Sequence, residues 1–86
     1  MEESEPNYTI KVLNKTFSIL KLLLQQCSTV NMTEISKKLD LYLSTTHRIL
    51  DTLKHRGYVE QEPNNQEYQL GLKVLELGIA KLYKLT

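Results

Sequence analysis

Apolar residues recur at helical spacing along most of the chain, and alternate as in a strand along one short stretch. Over residues 12–26, Leu13, Phe17, Leu20 and Leu24 fall on one side of a helix, with Thr16 and Leu23 at its margins. Ile19 and Leu22 lie about 100–180° from the centre of that stripe. The spacing therefore predicts a first helix that turns Leu13, Phe17, Leu20 and Leu24 to the core and leaves Ile19 and Leu22 uncovered. A short second helix is predicted over 34–39, with Thr33 before it as the capping hydroxyl. Asp40 and Leu41 make a turn, and a longer helix follows over 42–56. On it Thr46, Ile49, Leu50 and Leu53 share one face. Ser44, Thr45, His47, Arg48, Asp51, Thr52 and His55 share the other. Gly57 stands where a left-handed residue ends such a helix.

The period then changes. Residues 58–62 and 67–70 read as two strands joined by Pro63, Asn64, Asn65 and Gln66, all turn-forming types. Tyr68 and Leu70 are expected to point inward together. Gly71 breaks the second strand, and a last helix is predicted over 72–85. Its apolar residues, Val74, Leu75, Ile79 and Leu82 among them, cover about half the girth, wider than one core-facing stripe requires. Gly78 offers room for another helix to approach. Residues 28–32 form a connector in which Val30 or Met32 is the candidate for a single short strand. Residues 1–9 contain Glu2, Glu3, Glu5 and Pro6 and read as a flexible acidic tail. Residues 10–86 then form one domain, mainly α with a small β-hairpin. No internal repeat or low-complexity segment is present.

Composition narrows this picture. The 86 residues suffice for one modest core. No apolar run approaches the roughly 20 residues of a membrane span. The acidic start is unlike a signal or transit peptide. Cys27 is the only cysteine, so no internal disulfide forms and a cytoplasmic setting is expected. At the end of an amphipathic helix, Cys27 is expected to be a small buried or half-buried apolar residue. The net charge is only +1; without Glu2, Glu3 and Glu5, seven acidic side chains face eleven basic ones, a balance of +4. A partner that is a polyanion would have to be held by a few well-placed cations. The hairpin carries Glu60, Glu62 and Glu67 and neither lysine nor arginine.

The outer face of the helix over 42–56 is short, polar and centred on Arg48. Such a face suits the major groove of DNA, which admits a helix and displays donors and acceptors. Arg48 is the leading candidate, since its guanidinium can grip guanine O6 and N7 or a phosphate; its bland alternative is an ion pair with Asp51 or Asp40. Ser44 and Thr45 belong to that helix's first turn and serve either as DNA contacts or as caps. His47 and Thr52 complete the face. Thr33 and Lys38 are candidate phosphate contacts beside it, as are Lys37 and Lys54. Asn64, Asn65 and Gln66 either touch sugar or the minor groove weakly or only close the turn. His47, Asp51 and His55 share one row, but nothing completes a metal-ligand set, and no metal site or cofactor is expected. No nucleophile motif, phosphate loop or carboxylate pair suggests catalysis.

The segment LSTTHRILDTLKHRGYVEQEPNNQEYQLGLKVLELG resembles the winged helix-turn-helix of the IclR (isocitrate-lyase-regulator) family of prokaryotic transcription regulators. The motifs THR-x-L at Thr46, His47, Arg48 and Leu50, and Y-x-LG at Tyr68, Leu70 and Gly71, carry the likeness, which extends over about residues 10–80. LNKTFSILKLL and MTEISKKL are similar to the family's first two helices. Tyr42 and Leu43 depart from the usual proline and basic residue, and Gln61 and Gln69 stand where arginine is frequent. The resemblance implies a three-helix core, a two-stranded wing and a C-terminal helix leading toward an effector-binding domain. With the chain stopping at Thr86, that domain, and any small-molecule effector site, is expected to be absent. It also implies sequence-specific binding of double-stranded DNA by a homodimer. The uncovered Ile19 and Leu22, with Val74, Leu82 and Leu85, are the expected dimer interface. Two other readings stand beside it: a winged-helix module that binds protein, and a regulator of another winged-helix family without an effector domain.

Overall fold

A computed structural model describes residues 9–85; apart from Thr9, the expected acidic tail lies outside them. Helix α1 spans Lys11–Gln25, α2 Met32–Leu39, α3 Leu43–His55 and α4 Leu72–Leu85, with strands β1 (Val59–Gln61) and β2 (Tyr68–Leu70) between the last two helices. The strands pair antiparallel with Val59 opposite Leu70 and Gln61 opposite Tyr68. Val30 adds a one-residue third strand, exchanging both backbone hydrogen bonds with Tyr68 at 3.0 and 2.7 Å. Of the two connector candidates, Val30 forms the strand, while Met32 opens α2.

The core gathers one face from every element but α4: Ile19, Leu22 and Leu23 of α1, Val30, Ile35 of α2, Ile49, Leu50 and Leu53 of α3, and Val59 and Tyr68 of the hairpin. The inward face expected for α3 is therefore observed, and Thr46 joins it. Its buried hydroxyl donates to the Tyr42 carbonyl, 3.0 Å away, so no polar atom is stranded. Tyr68 is buried and Leu70 half-buried against the same cluster.

On α1 the expected face is reversed. Ile19 and Leu22 are 0% and 8% exposed, whereas Phe17 and Leu24 are 63% and 69% exposed, and Leu13 is exposed with them. Leu20 is partly buried at the edge. The helix carries two apolar stripes about 150° apart. A single small core covers only one, and the stripe with Ile19, Leu22 and Leu23 is the one that meets it. Ile19 and Leu22 are thus core residues and are closed to a second chain. Cys27 is also exposed rather than buried: α1 ends at Gln25, and Cys27 lies in the bend that follows.

Three backbone devices set the connections. Asp40 closes α2 in the left-handed region at φ 54°, a conformation Asp tolerates, and Leu41 N–H reaches back to the Ser36 carbonyl at 3.0 Å. Gly57, at φ 85°, ends α3 with Gly57 N–H on the Lys54 carbonyl and Tyr58 N–H on the Leu53 carbonyl, a Schellman arrangement. Gly71 then lies so close to this turn that a Cβ would stand 2.4 Å from the Gly57 carbonyl oxygen. From there α4 is tied by Lys73 N–H to the Gly57 carbonyl at 3.1 Å, and none of its residues is buried. Its broad apolar surface, including Leu72, Leu75, Leu82 and Leu85, is exposed, and only Val74 is half-buried. Nothing lies within 4 Å of a Cβ placed at Gly78.

The reversal on α1 has a direct check. Ile19→Ala should destabilise the domain by about 2–4 kcal/mol through lost burial and a cavity. Phe17→Ala should change the stability of the monomer by less than roughly 0.5 kcal/mol. Urea unfolding at a protein concentration where the chain is monomeric reads both values.

Candidate nucleic-acid interface

The inner face of α3 fixes its outer one. With Thr46, Ile49, Leu50 and Leu53 held in the core, Ser44, Arg48, Asp51 and His55 form the outermost row, within about 60° of one another. All four are exposed. Among the described residues, neither Arg48 nor Asp51 makes an ion pair or side-chain hydrogen bond, so the Arg48–Asp51 and Arg48–Asp40 pairs do not form. Ser44 and Thr45 are not caps: Tyr42 occupies the capping position of α3, and no side chain caps that end. The first-turn amides are left to solvent or to an anion. Thr52 is exposed, but its hydroxyl donates to the Arg48 carbonyl at 2.8 Å, so only its oxygen lone pairs and methyl remain for a partner.

The flanks of α3 differ. On the side of α1, Thr45, Arg48 and Thr52 border a hollow of about 340 Å³ with Val12 and Thr16. On the side of the wing, a polar cup of about 450 Å³ gathers His47, Asp51 and Lys54 of α3, Asn31 and Thr33 at the start of α2, and Asn65 of the wing turn. The fold thus brings Thr33, His47 and Asn65 to one cup and places Thr45, Arg48 and Thr52 on the opposite flank. Asn64 is exposed at the wing tip. Lys38 stands apart on α2, ion-paired to Glu34 at 3.5 Å, while Lys37 is exposed.

Thr33 does not cap α2. The cap is Asn31, whose Oδ1 accepts from the Glu34 N–H at 2.8 Å. Helix α2 starts at Met32, so Thr33 is already in its first turn. Both residues are capping types two positions apart, and spacing alone does not separate them.

Lys54, Gln61 and Gln66 are wired together. Lys54 Nζ donates to Gln61 Oε1 at 2.9 Å, Gln61 Nε2 to the Gln66 carbonyl at 3.1 Å, and Gln66 Nε2 to the Pro63 carbonyl at 3.1 Å. The turn is closed by Gln66 at φ 61° and by Asn65 Oδ1, which accepts from Glu67 N–H at 3.0 Å. The wing is thus held to α3 by amides, where a basic wing would carry free cations. Gln66 closes the turn, one of the two roles its residue type offered, whereas the link from Gln61 to Lys54 depends on the register of the hairpin and has no local signal. Tyr68 lines the back of the cup, and burial, with the nearby Asp51 carboxylate as the smaller cause, holds its hydroxyl above the ordinary tyrosine range.

A helix-turn-helix with its polar face outward, followed by a two-stranded wing, defines a winged helix-turn-helix DNA-binding domain. The comparisons agree and go further. The family model described as the IclR helix-turn-helix domain matches residues 12–63, more than half of the chain. The transcriptional regulator XynR of Escherichia coli is 39% identical over 69 residues, covering 80% of this chain and 27% of that protein. The regulator KdgR of Dickeya chrysanthemi is 38% identical over 80 residues, covering 93% of this chain and 26% of its own length. The crystal structure of an IclR-family regulator from Brucella abortus superposes with a TM-score of 0.83 at 30% identity, over 98% of this chain and 32% of that one. The chain belongs to the IclR family and carries its winged helix-turn-helix. It spans about a quarter to a third of the length of these relatives.

The two capping candidates are separable by experiment. Asn31→Ala should cost about 1 kcal/mol of stability through the lost cap. Thr33→Ala should cost less than roughly 0.5 kcal/mol. Equal losses in thermal unfolding would overturn the assignment.

Proposed function

We propose that this chain binds double-stranded DNA in a sequence-specific way, as the DNA-reading unit of a cytoplasmic prokaryotic transcription regulator, and that it is not an enzyme. The observation that carries the reading is the outer row of α3. Arg48, a five-donor group, is exposed on α3 and has no side-chain partner among the described residues. In this reading α3 enters the major groove, Arg48 meets a base edge or phosphate, and Ser44, Thr45, His47 and Thr52 contact the groove walls. The start of α2, with Thr33, and the wing, with Asn64 and Asn65, follow the flanking backbone. A protein-binding module would be expected to present an apolar outer face; this one is polar. No helix among the described residues is long and apolar enough to cross a membrane. XynR and KdgR are both named as transcriptional regulators.

Arg48→Ala should leave the fold intact and weaken binding to a selected operator by about 1–3 kcal/mol per half-site. Fluorescence anisotropy at fixed salt measures this. Across a salt titration the wild type should lose affinity steeply, because phosphate contacts release counterions. Unchanged affinity in the variant would remove Arg48 from the role.

The second part of the proposal is a homodimer. Uncovered apolar residues include Leu13, Phe17 and Leu24 of α1 and the exposed face of α4, with Leu82 and Leu85. Burial of each such side chain is worth about 1.5–3 kcal/mol, enough to drive association of two copies. Two-fold symmetry would set two copies of α3 in successive major grooves about 34 Å apart and favour a pseudo-palindromic site. Analytical ultracentrifugation with and without operator DNA tests it. A Phe17→Glu, Leu24→Glu double variant should sediment as a monomer and lose its preference for a palindrome over a half-site. A double variant that assembles like the wild type would sink this interface.

A further inference from the structure

The outer row of α3 holds one group that electrostatics alone would exclude from DNA. Asp51 is exposed, one helical turn from Arg48 and about 60° around the helix from it. Its carboxylate has no ion pair or hydrogen bond among the described residues. His47, Arg48, Lys54 and His55 are its neighbours one turn away on its own helix, and His47 and Lys54 share the cup with it, with Thr33 of α2 and Tyr68 of the wing across from them. The Lys54 ammonium is engaged by Gln61, and the raised Tyr68 leaves a neutral hydroxyl on that side. Among the described residues no cation is bonded to Asp51; Lys54, in the same cup, keeps its charge but gives its hydrogen bond to Gln61.

A bare carboxylate entering a groove flanked by phosphates is repelled unless it meets a donor. The major groove offers few. Guanine shows two acceptors there and thymine shows an acceptor and a methyl. Adenine sets its amino group beside the N7 acceptor, which opposes the second carboxylate oxygen. Cytosine shows only its N4 amino group. Arg48, a pure donor, has the reverse preference and suits guanine. The two residues are one turn apart, so they face neighbouring steps of the groove.

We propose that Asp51 is a specificity-determining residue that accepts a hydrogen bond from cytosine N4, one step from the base read by Arg48. The proposal rests on the DNA-binding reading above. It makes Asp51 a filter: base pairs that place acceptors at that step are rejected by repulsion, so selectivity comes from penalising the wrong sequence.

The test is selection from a randomised duplex library with the full chain as wild type, Asp51→Ala and Asp51→Asn, each first shown by circular dichroism to melt as the wild type does. The wild type should select cytosine at one position per half-site. Asp51→Ala should lose that preference by roughly tenfold while the other positions keep theirs. Asp51→Asn should shift the same position toward adenine, which the carboxamide can contact through both N6 and N7. If both variants select the wild-type sequence with unchanged preferences, the inference is overturned, and a uniform gain in affinity on all duplexes would show Asp51 to be only a repulsive surface charge. A wild type that binds operator while only the Asp51 position fails to respond leaves the DNA-binding reading standing. A wild type that selects no sequence overturns both.

Discussion

The close approach of Gly71 to Gly57 is the constraint on which the arrangement turns. Gly57 must be left-handed to end α3, and Gly71 must lack a side chain to lie on its carbonyl. Through this contact the end of α3, the base of the hairpin and the start of α4 share one backbone knot. Tyr58 accepts from Gly71 N–H at 2.9 Å, and Gly57 accepts from Lys73 N–H at 3.1 Å. The direction in which α4 leaves, and hence where its uncovered apolar face points, is set by two residues with no side chain to pack.

Around that knot the molecule separates its faces sharply. α3 gives Thr46, Ile49, Leu50 and Leu53 to the core and holds Arg48 and Asp51 outside, unpaired among the described residues. Its wing flank is organised by amides, through Lys54, Gln61 and Gln66. A chain with a net charge of +1 has little long-range field to draw a polyanion in. A surface of that kind offers a partner individual groups in fixed positions rather than a broad field.

Much of this was legible in the sequence where a segment admits one solution. α3 has a single apolar face, so its inside and outside followed from periodicity. Gly57 at a helix end and the Pro63 to Gln66 turn declared themselves by residue type, and the bounds of α4 were read as observed. α1 was misread because it has two apolar faces, and only the placement of Ile35, Leu50 and Tyr68 decides between them. Thr33 was taken for the cap because Asn31, two residues earlier, has the same chemistry. The role of Gln61 depends on hairpin register, and the exposure of Cys27 on a bend after α1; neither has a local signature.

The pairing of Val30 with Tyr68 bears on how far the recognition unit is portable. Val30 lies before α2 and Tyr68 lies after the wing turn, 38 residues later, yet their backbones exchange two hydrogen bonds and both side chains are buried. The helix-turn-helix is therefore clasped at its two ends by chain outside it. A segment cut from α2 through α3 would carry the outer row of α3 but lose the clasp and more than half of the core. In this fold the reading head is not a cassette that can be lifted out and grafted; its smallest transferable piece runs from α1 through Gly71.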